Sequence, residues 1–270
     1  MTAPFGQRLA DAVTARGPLC VGIDPHGALL ERWGLPDDPE GLARFTGAVV
    51  DALAGTVAVL KPQLAFYERH GSRGLAVLED GVARARAAGA LVLLDAKRGD
   101  IGSTMDGYAG YLRPDHPMAA DALTVSPYLG PGSLQPAVDA ARRHGGGLFV
   151  LARTSNPDAG SLQHAVVDGR SVAQVVVDTV RAWNAADASG SFGVVIGATL
   201  PELDVDLTGL GGPVLAPGLG AQGGSVADLR RLFDRGTTVV PAVSRDVLAA
   251  GPDRAGLRAA AERWAAALAG

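Results

Sequence analysis

The chain has 270 residues, 47% of them hydrophobic, and 24 Lys and Arg against 28 Asp and Glu, for a formal net charge of −4. That balance argues against a nucleic-acid or membrane-surface partner. No apolar run approaches a membrane span, and the single cysteine, Cys20 in LCVGI, has no internal disulfide partner and reads as a buried thiol. A soluble, cytoplasmic protein with one large core is expected.

The N-terminal stretch lacks the apolar core of a signal peptide and reads as a short amphipathic helix at about 4–16. Apolar, strand-like runs then recur to the end of the chain: LCVGI (19–23), VAVL (57–60), LVLL (91–94), ALTV (122–125), LFVLA (148–152), FGVVIG (192–197), PVLA (213–216) and TTVVPAV (237–243). Between them lie helical patterns such as PEGLARFTGAVVDALAG, RGLAVLEDGVARARAAG, GSLQPAVDAARRHGG, GRSVAQVVVDTVRAWNAA and SVADLRRLFDRG, and DRAGLRAAAERWAAALAG closes the chain. Strands alternating with helices predict a parallel sheet, and runs without polar alternation predict strands covered on both faces. Eight such units in this length predict one (β/α)8 TIM barrel spanning 1–270, with a doubly wound open sheet as the alternative.

A barrel of this kind carries its chemistry on the C-terminal ends of its strands. The residues just after each apolar run are therefore the informative ones. They are Asp24; Lys61; Asp95, Lys97 and Asp100; Ser126; Arg153, Thr154 and Ser155; Thr199; the glycine-rich 217–224; and Ser244 with Arg245. The stretch after the third run, LVLLDAKRGDIGST, is the densest. Asp95 and Lys97 are two apart and share a face if the strand continues. Gly99 and Gly102 then turn the chain, and a helix is expected from about Thr104 and Met105.

PGLGAQGGS precedes a helical pattern, so its backbone and the helix N-terminus can receive an anion, and the next strand delivers Arg245, a bidentate phosphate partner. Lys61 could be a Schiff-base nucleophile, a charge fixing a carboxylate, or a snorkelling side chain. The aspartates nearby favour a paired, protonated lysine, and the same holds for Lys97 between Asp95 and Asp100. Asp24 lies in GIDPHG, where turn-making is a sufficient explanation on its own. No cluster of His, Cys and carboxylates has metal-ligand spacing, and no GxGxxG opens the first helix. Neither a metal nor a cofactor is expected.

Taken together, these residues resemble the orotidine 5′-phosphate decarboxylase family. DAKRGDI matches its D-x-K-x-x-D-I signature, VGIDP its first-strand aspartate, VLKPQ its second-strand lysine, and PGLGAQGG with Arg245 its phosphate site. The length and the SNPDAG loop resemble the longer, mycobacterial-type members. The resemblance runs from about residue 19 to 248. It implies a cofactor-free enzyme of pyrimidine biosynthesis that converts orotidine 5′-phosphate to UMP and CO2. Lys61, Asp95, Lys97 and Asp100 would form an alternating charge array, with Lys97 protonating C6. Asp24 and Thr104 would bind ribose hydroxyls, Ile101 would pack on the pyrimidine, and Ser155 would read the base edge, with Ser126 a weaker candidate. The loop opening at Pro217, with Gln222 and Arg245, would hold the phosphate. Asp100, Ile101 and Thr104 would act across the interface of a homodimer with shared sites. Ser244 departs from the pattern, since a glycine often stands there.

Three other readings compete. A Mg²⁺-dependent sugar-phosphate decarboxylase or aldolase of the same suprafamily would want a carboxylate where this chain has Lys61. A Schiff-base aldolase would need Lys61 or Lys97 neutral. A non-catalytic nucleotide-phosphate binding protein would have no use for the charge array.

Overall fold

Eight short parallel strands follow one another around a closed barrel in the computed structural model, which describes residues 2–270. They are β1 (Cys20–Ile23), β2 (Val59–Pro62), β3 (Leu91–Arg98), β4 (Ala122–Val125), β5 (Gly147–Arg153), β6 (Phe192–Ile196), β7 (Val214–Pro217) and β8 (Val239–Val243). The ring closes where Cys20 and Val21 of β1 lie opposite Ala242 and Val243 of β8. β2 and β3 run further than their apolar stretches suggested. Lys61 pairs in register with Gly22, and β3 continues through Asp95 and Lys97 to Arg98, with a register shift against β4 between Leu94 and Arg98. These strands tolerate charge at their ends because the side chains enter the barrel mouth.

The longer helices are α1 (Phe5–Arg16), α2 (Pro39–Leu53), α3 (Gly71–Ala87), α4 (Gly102–Ala109), α5 (Gln135–His144), α6 (Val172–Asp187), α7 (Val226–Leu232) and α8 (Arg254–Ala269). α4 begins at Gly102, slightly earlier than expected, and places Met105 inward and Thr104 outward. The β6–β7 connection, 197–213, holds no helix. Local chemistry sets several starts. Asp38 and Asp253 accept from Gly41 N and Gly256 N to cap α2 and α8, and Ser171 caps α6 through Gln174 N.

Two apolar cores result. The larger lies between strands and helices, and the smaller fills the barrel itself with Cys20, Val59, Leu93, Phe149, Val195, Leu215 and Val240. Each fully buried large side chain contributes roughly 1.5–3 kcal/mol. α1 plugs the N-terminal end of the barrel. Phe5, Leu9 and Ala12 join the inner core, with the Phe5 ring edge-on to Phe149 at 6.0 Å. Arg8 on the same helix reaches buried Asp121 and donates to Gly145 O. With that end sealed, the barrel opens only at the ends of its strands that carry the charges.

Candidate active site

The open end holds a cavity of about 230 Å³. Its floor and one wall are polar: Asp24 just after β1, Lys61 from β2 and Gln63 just after it, Asp95 and Lys97 from β3, and Thr124 from β4. Leu151, Val195, Leu215 and Val243 form an apolar face, and Pro217, Gly218, Gln222, Ser244 and Arg245 form the rim above β7 and β8.

Asp95 is the hub. Its Oδ2 accepts from Lys61 Nζ at 2.7 Å, and its Oδ1 from Lys97 Nζ at 2.6 Å and Thr124 Oγ at 2.8 Å. Thr124 Oγ in turn accepts from Lys97 N at 3.0 Å, where the backbone takes a left-handed φ of 46°. For a residue with a side chain this conformation costs of order 1–3 kcal/mol and is held in place by its surroundings. Here it lets Lys97 fold back on Asp95 from the strand end. With its nitrogen turned toward the acceptors, the Gln63 amide donates to Asp95 O and Oδ2, and its oxygen accepts from Lys97 Nζ at 3.3 Å. Lys61 and Asp95 are buried, whereas the Lys97 side chain remains 44% exposed to the cavity.

Burial opposes ionisation of Asp95, but Lys61 and Lys97 outweigh it and hold the carboxyl below the usual carboxylate range. Burial likewise works against a charged Lys61, and the Asp95 and Asp24 carboxylates reverse that, holding the ammonium above the usual lysine range. Lys61 is thus a fixed cation and not an amine nucleophile. Cys20, at the barrel's core, is no nucleophile either, since burial pushes its thiol up to about 12.

The rim differs. The Asp24 carboxylate has no hydrogen-bond partner, and its Oδ1 is buried. Arg245 lines the cavity from the start of a short helix, Arg245–Leu248, that follows β8. The 217–224 loop folds on itself through Gly220 N to Gly224 O at 2.9 Å and Gly224 N to Gly218 O at 3.0 Å. Gly218, Gly220 and Gly223 all take left-handed φ, which only glycine adopts without strain. The expected role of the following helix N-terminus is not what the structure shows. Ser225 and Asp228 close the start of α7 with a capping box, so a carboxylate already occupies that end. Arg245 remains as the cation on this rim, beside the glycine loop.

Of the residues singled out in the sequence, Asp24, Lys61, Asp95, Lys97, Pro217, Gln222 and Arg245 line one cavity. Asp100, Ile101, Thr104 and Ser155 do not. Asp100 accepts from Ile101 N at 2.7 Å on the turn after β3, Ile101 is 62% exposed, and Thr104 and Ser155 are exposed. Thr124 and Gln63 were missed. The hydroxyl in the otherwise apolar ALTV was the signal for the first, and the polar residue closing VLKPQ for the second. Among the described residues, no group of three or more His, Cys, Asp or Glu side chains is placed to hold a metal ion, and no helix is long and apolar enough to cross a membrane.

A sequence profile of the orotidine 5′-phosphate decarboxylase / HUMPS family matches residues 17–260. The orotidine 5′-phosphate decarboxylase of Streptomyces coelicolor is 61% identical over 266 residues, covering 97% of this chain and 96% of that one. That of Salinispora arenicola is 60% identical over 263 residues, covering 96% and 95%. The crystal structure of a Streptomyces avermitilis protein assigned to the same activity superposes with a TM-score of 0.95 at 59% identity, covering 100% of this chain and 97% of that one. Leishmania donovani OMP decarboxylase superposes with a TM-score of 0.76 at 30% identity, covering 98% of each chain.

Proposed function

This chain belongs to the orotidine 5′-phosphate decarboxylase / HUMPS family, and from that premise we propose that it is a carboxy-lyase that turns orotidine 5′-phosphate into UMP and CO2 without a cofactor, with Lys97 as the proton donor. The observation that carries this reading is the Lys61–Asp95–Lys97 array, buried at one end and open to the cavity at the other.

When the C6–carboxylate bond breaks, its electron pair stays on C6 and CO2 leaves. The lowering of the barrier an enzyme must supply for such a step lies toward the upper end of the ~8–23 kcal/mol range. A positioned ammonium at C6 stabilises the developing carbanion, then transfers a proton to it. Lys97 is the group placed to do this: both lysines pair with Asp95, but Lys61 is buried whereas the Lys97 side chain is 44% exposed to the cavity. Asp95, held ionised, faces the region of the leaving carboxylate. The apolar face of Leu151, Val195 and Leu215 suits a flat pyrimidine. Arg245, Gln222 and the loop opening at Pro217 would hold the phosphate, and that remote contact can supply the energy for closing the loop. Asp24 would accept from a ribose hydroxyl, and Ser155 would reach the base edge when its loop closes.

Asp100, Ile101 and Thr104 stand outside their own cavity, with Tyr128 and Leu129 adding exposed apolar surface on the neighbouring β4 exit. A two-fold homodimer in which each subunit lends the turn after β3 to the other would cover this surface and complete both sites. A cytoplasmic place in UMP biosynthesis goes with the activity.

The deciding experiment follows the loss of orotidine 5′-phosphate absorbance in the presence of EDTA. Undiminished turnover is expected. Activity that vanishes with EDTA and returns with Mg²⁺ would favour the metal-dependent sugar-phosphate reading instead, although Lys61 stands where that reading wants a carboxylate.

A further inference from the structure

In the cavity wall between β1 and β8, two oxygens are buried without a hydrogen-bond partner, Asp24 Oδ1 and Ser244 Oγ. Both residues line the cavity. Gly22 lies beneath them. A Cβ built there would stand 2.9 Å from Ser244 Cβ, 3.2 Å from Ser244 Oγ and 3.2 Å from Asp24 Oδ2. The carboxylate and the hydroxyl therefore converge over the bare face of one glycine, at distances that leave no room for a side chain on it. They form no hydrogen bond to each other. In native structures most buried polar groups find a partner in protein, water or ligand, and these two face the cavity.

Their chemistry narrows the ligand group. An ionised carboxylate only accepts, whereas a serine hydroxyl can donate. A group satisfying both must donate to one and accept from the other, as an alcohol does. A phosphate would be repelled by Asp24, and its charge has a partner one residue on, in Arg245.

We propose that Ser244 is a substrate-binding residue whose hydroxyl donates to the same ribosyl hydroxyl that gives its proton to Asp24, so that the pair brackets one sugar oxygen. This rests on the decarboxylase reading and deepens it.

The test compares wild type with Ser244→Ala on orotidine 5′-phosphate and on its 2′-deoxy and 3′-deoxy analogues. Wild-type turnover of the first substrate checks the underlying reading separately. Calorimetric binding of UMP and its two deoxy forms gives a second readout that needs no turnover. The variant should lose roughly five- to tenfold in kcat/KM and in UMP affinity, the loss expected for one hydrogen bond. With the analogue that lacks the bracketed hydroxyl, variant and wild type should be equal. Equal losses on all three compounds, or no loss on any, would overturn the proposal, whether or not the wild type decarboxylates.

Discussion

The two ends of the barrel each hold a buried aspartate between two cations. At the closed end Asp121, only 4% exposed, faces Arg8 at 2.5 Å and Arg86 at 3.5 Å and accepts from Val92 N at 2.9 Å. At the open end Asp95 faces Lys61 at 2.7 Å and Lys97 at 2.6 Å and accepts from Thr124. The local pattern is nearly the same, yet one end is a fastening and the other a site. Two differences decide it. Arginine keeps its proton at any ordinary pH, so Arg8 and Arg86 can only fix charge, whereas a lysine can deliver a proton. And α1 fills the closed end with Phe5 and Leu9, whereas the open end leaves about 230 Å³ beside Lys97. A buried ion pair is therefore not itself a mark of catalysis. It becomes one where a transferable proton meets space for a substrate.

Lys97 is where the comparison can be broken most severely. In the proposed role Lys97 supplies both the charge at C6 and the acid, so Lys97→Ala should lower kcat by roughly 10⁴-fold or more. Lys97→Arg makes the open end resemble the closed one, keeping a cation beside Asp95 without a transferable proton. It should still lose at least about 10²-fold, the lower bound of general-acid catalysis. Single-turnover rates measure both, and near-wild-type activity in the arginine variant would mean that charge alone suffices.

Asp121→Ala sharpens the contrast from the other side. It leaves Val92 N without an acceptor and two arginines without their counter-charge, so stability should fall by about 3 kcal/mol, while the folded fraction keeps its kcat. Urea midpoints and active-site titration separate the two effects. The open end should show its own pH signature. Asp95 has a folded-state value lowered below its unfolded one, so its contribution to stability is complete above the unfolded carboxylate value of about 3.9 and is lost as pH falls through the folded value. Lys61 is raised, so its contribution is complete below about 10.4 and is lost as pH rises through the folded value. Asp95→Asn should accordingly be less stable than wild type at neutral pH, with the gap closing only as the solution is taken below about pH 4.

Arg245→Ala tests the rim, proposed to bind while the floor reacts. Losing a charge-assisted contact should cost roughly 1.5–3 kcal/mol, or about 10- to 150-fold in kcat/KM for orotidine 5′-phosphate. Orotidine, which has no phosphate, should be hardly affected. Equal losses on both would remove Arg245 from the phosphate site.

How far the sequence speaks follows from the physics of each part. The eight strands were legible because strands buried on both faces are written as uninterrupted apolar runs. Asp95 and Lys97 were legible as a pair through their two-residue spacing, although the contact itself depends on the left-handed backbone at Lys97, which no spacing reveals. Thr124 was hidden because a single hydroxyl in ALTV has the same appearance whether it faces a core or a site. Asp121 was hidden because its partners come from α1 and α3, 113 and 35 residues away along the chain. The helix after the glycine loop misled, since the same Ser225 that looked like the edge of an anion site is bound to Asp228 as a cap. The turn from Asp100 to Thr104 gained a role only from the family resemblance, because its expected partner is another copy of the chain.

That turn gives the last way to sharpen the comparison. The closed end is built wholly within one chain, with Asp121, Arg8 and Arg86 all its own. The open end, as proposed, is not. Lys97→Ala would damage a site through its own subunit and Asp100→Ala through the neighbour, so each homodimer should be inactive. In a hybrid of the two, one site carries both lesions and the other carries neither. At equal mixing, random pairing makes about half the dimers hybrid, each with one intact site of two, so activity should recover to about a quarter of wild type. Subunit exchange is verified by mass-tagging one partner. If exchange is complete and no activity returns, Asp100 acts within its own chain, and the open end is as self-contained as the closed one.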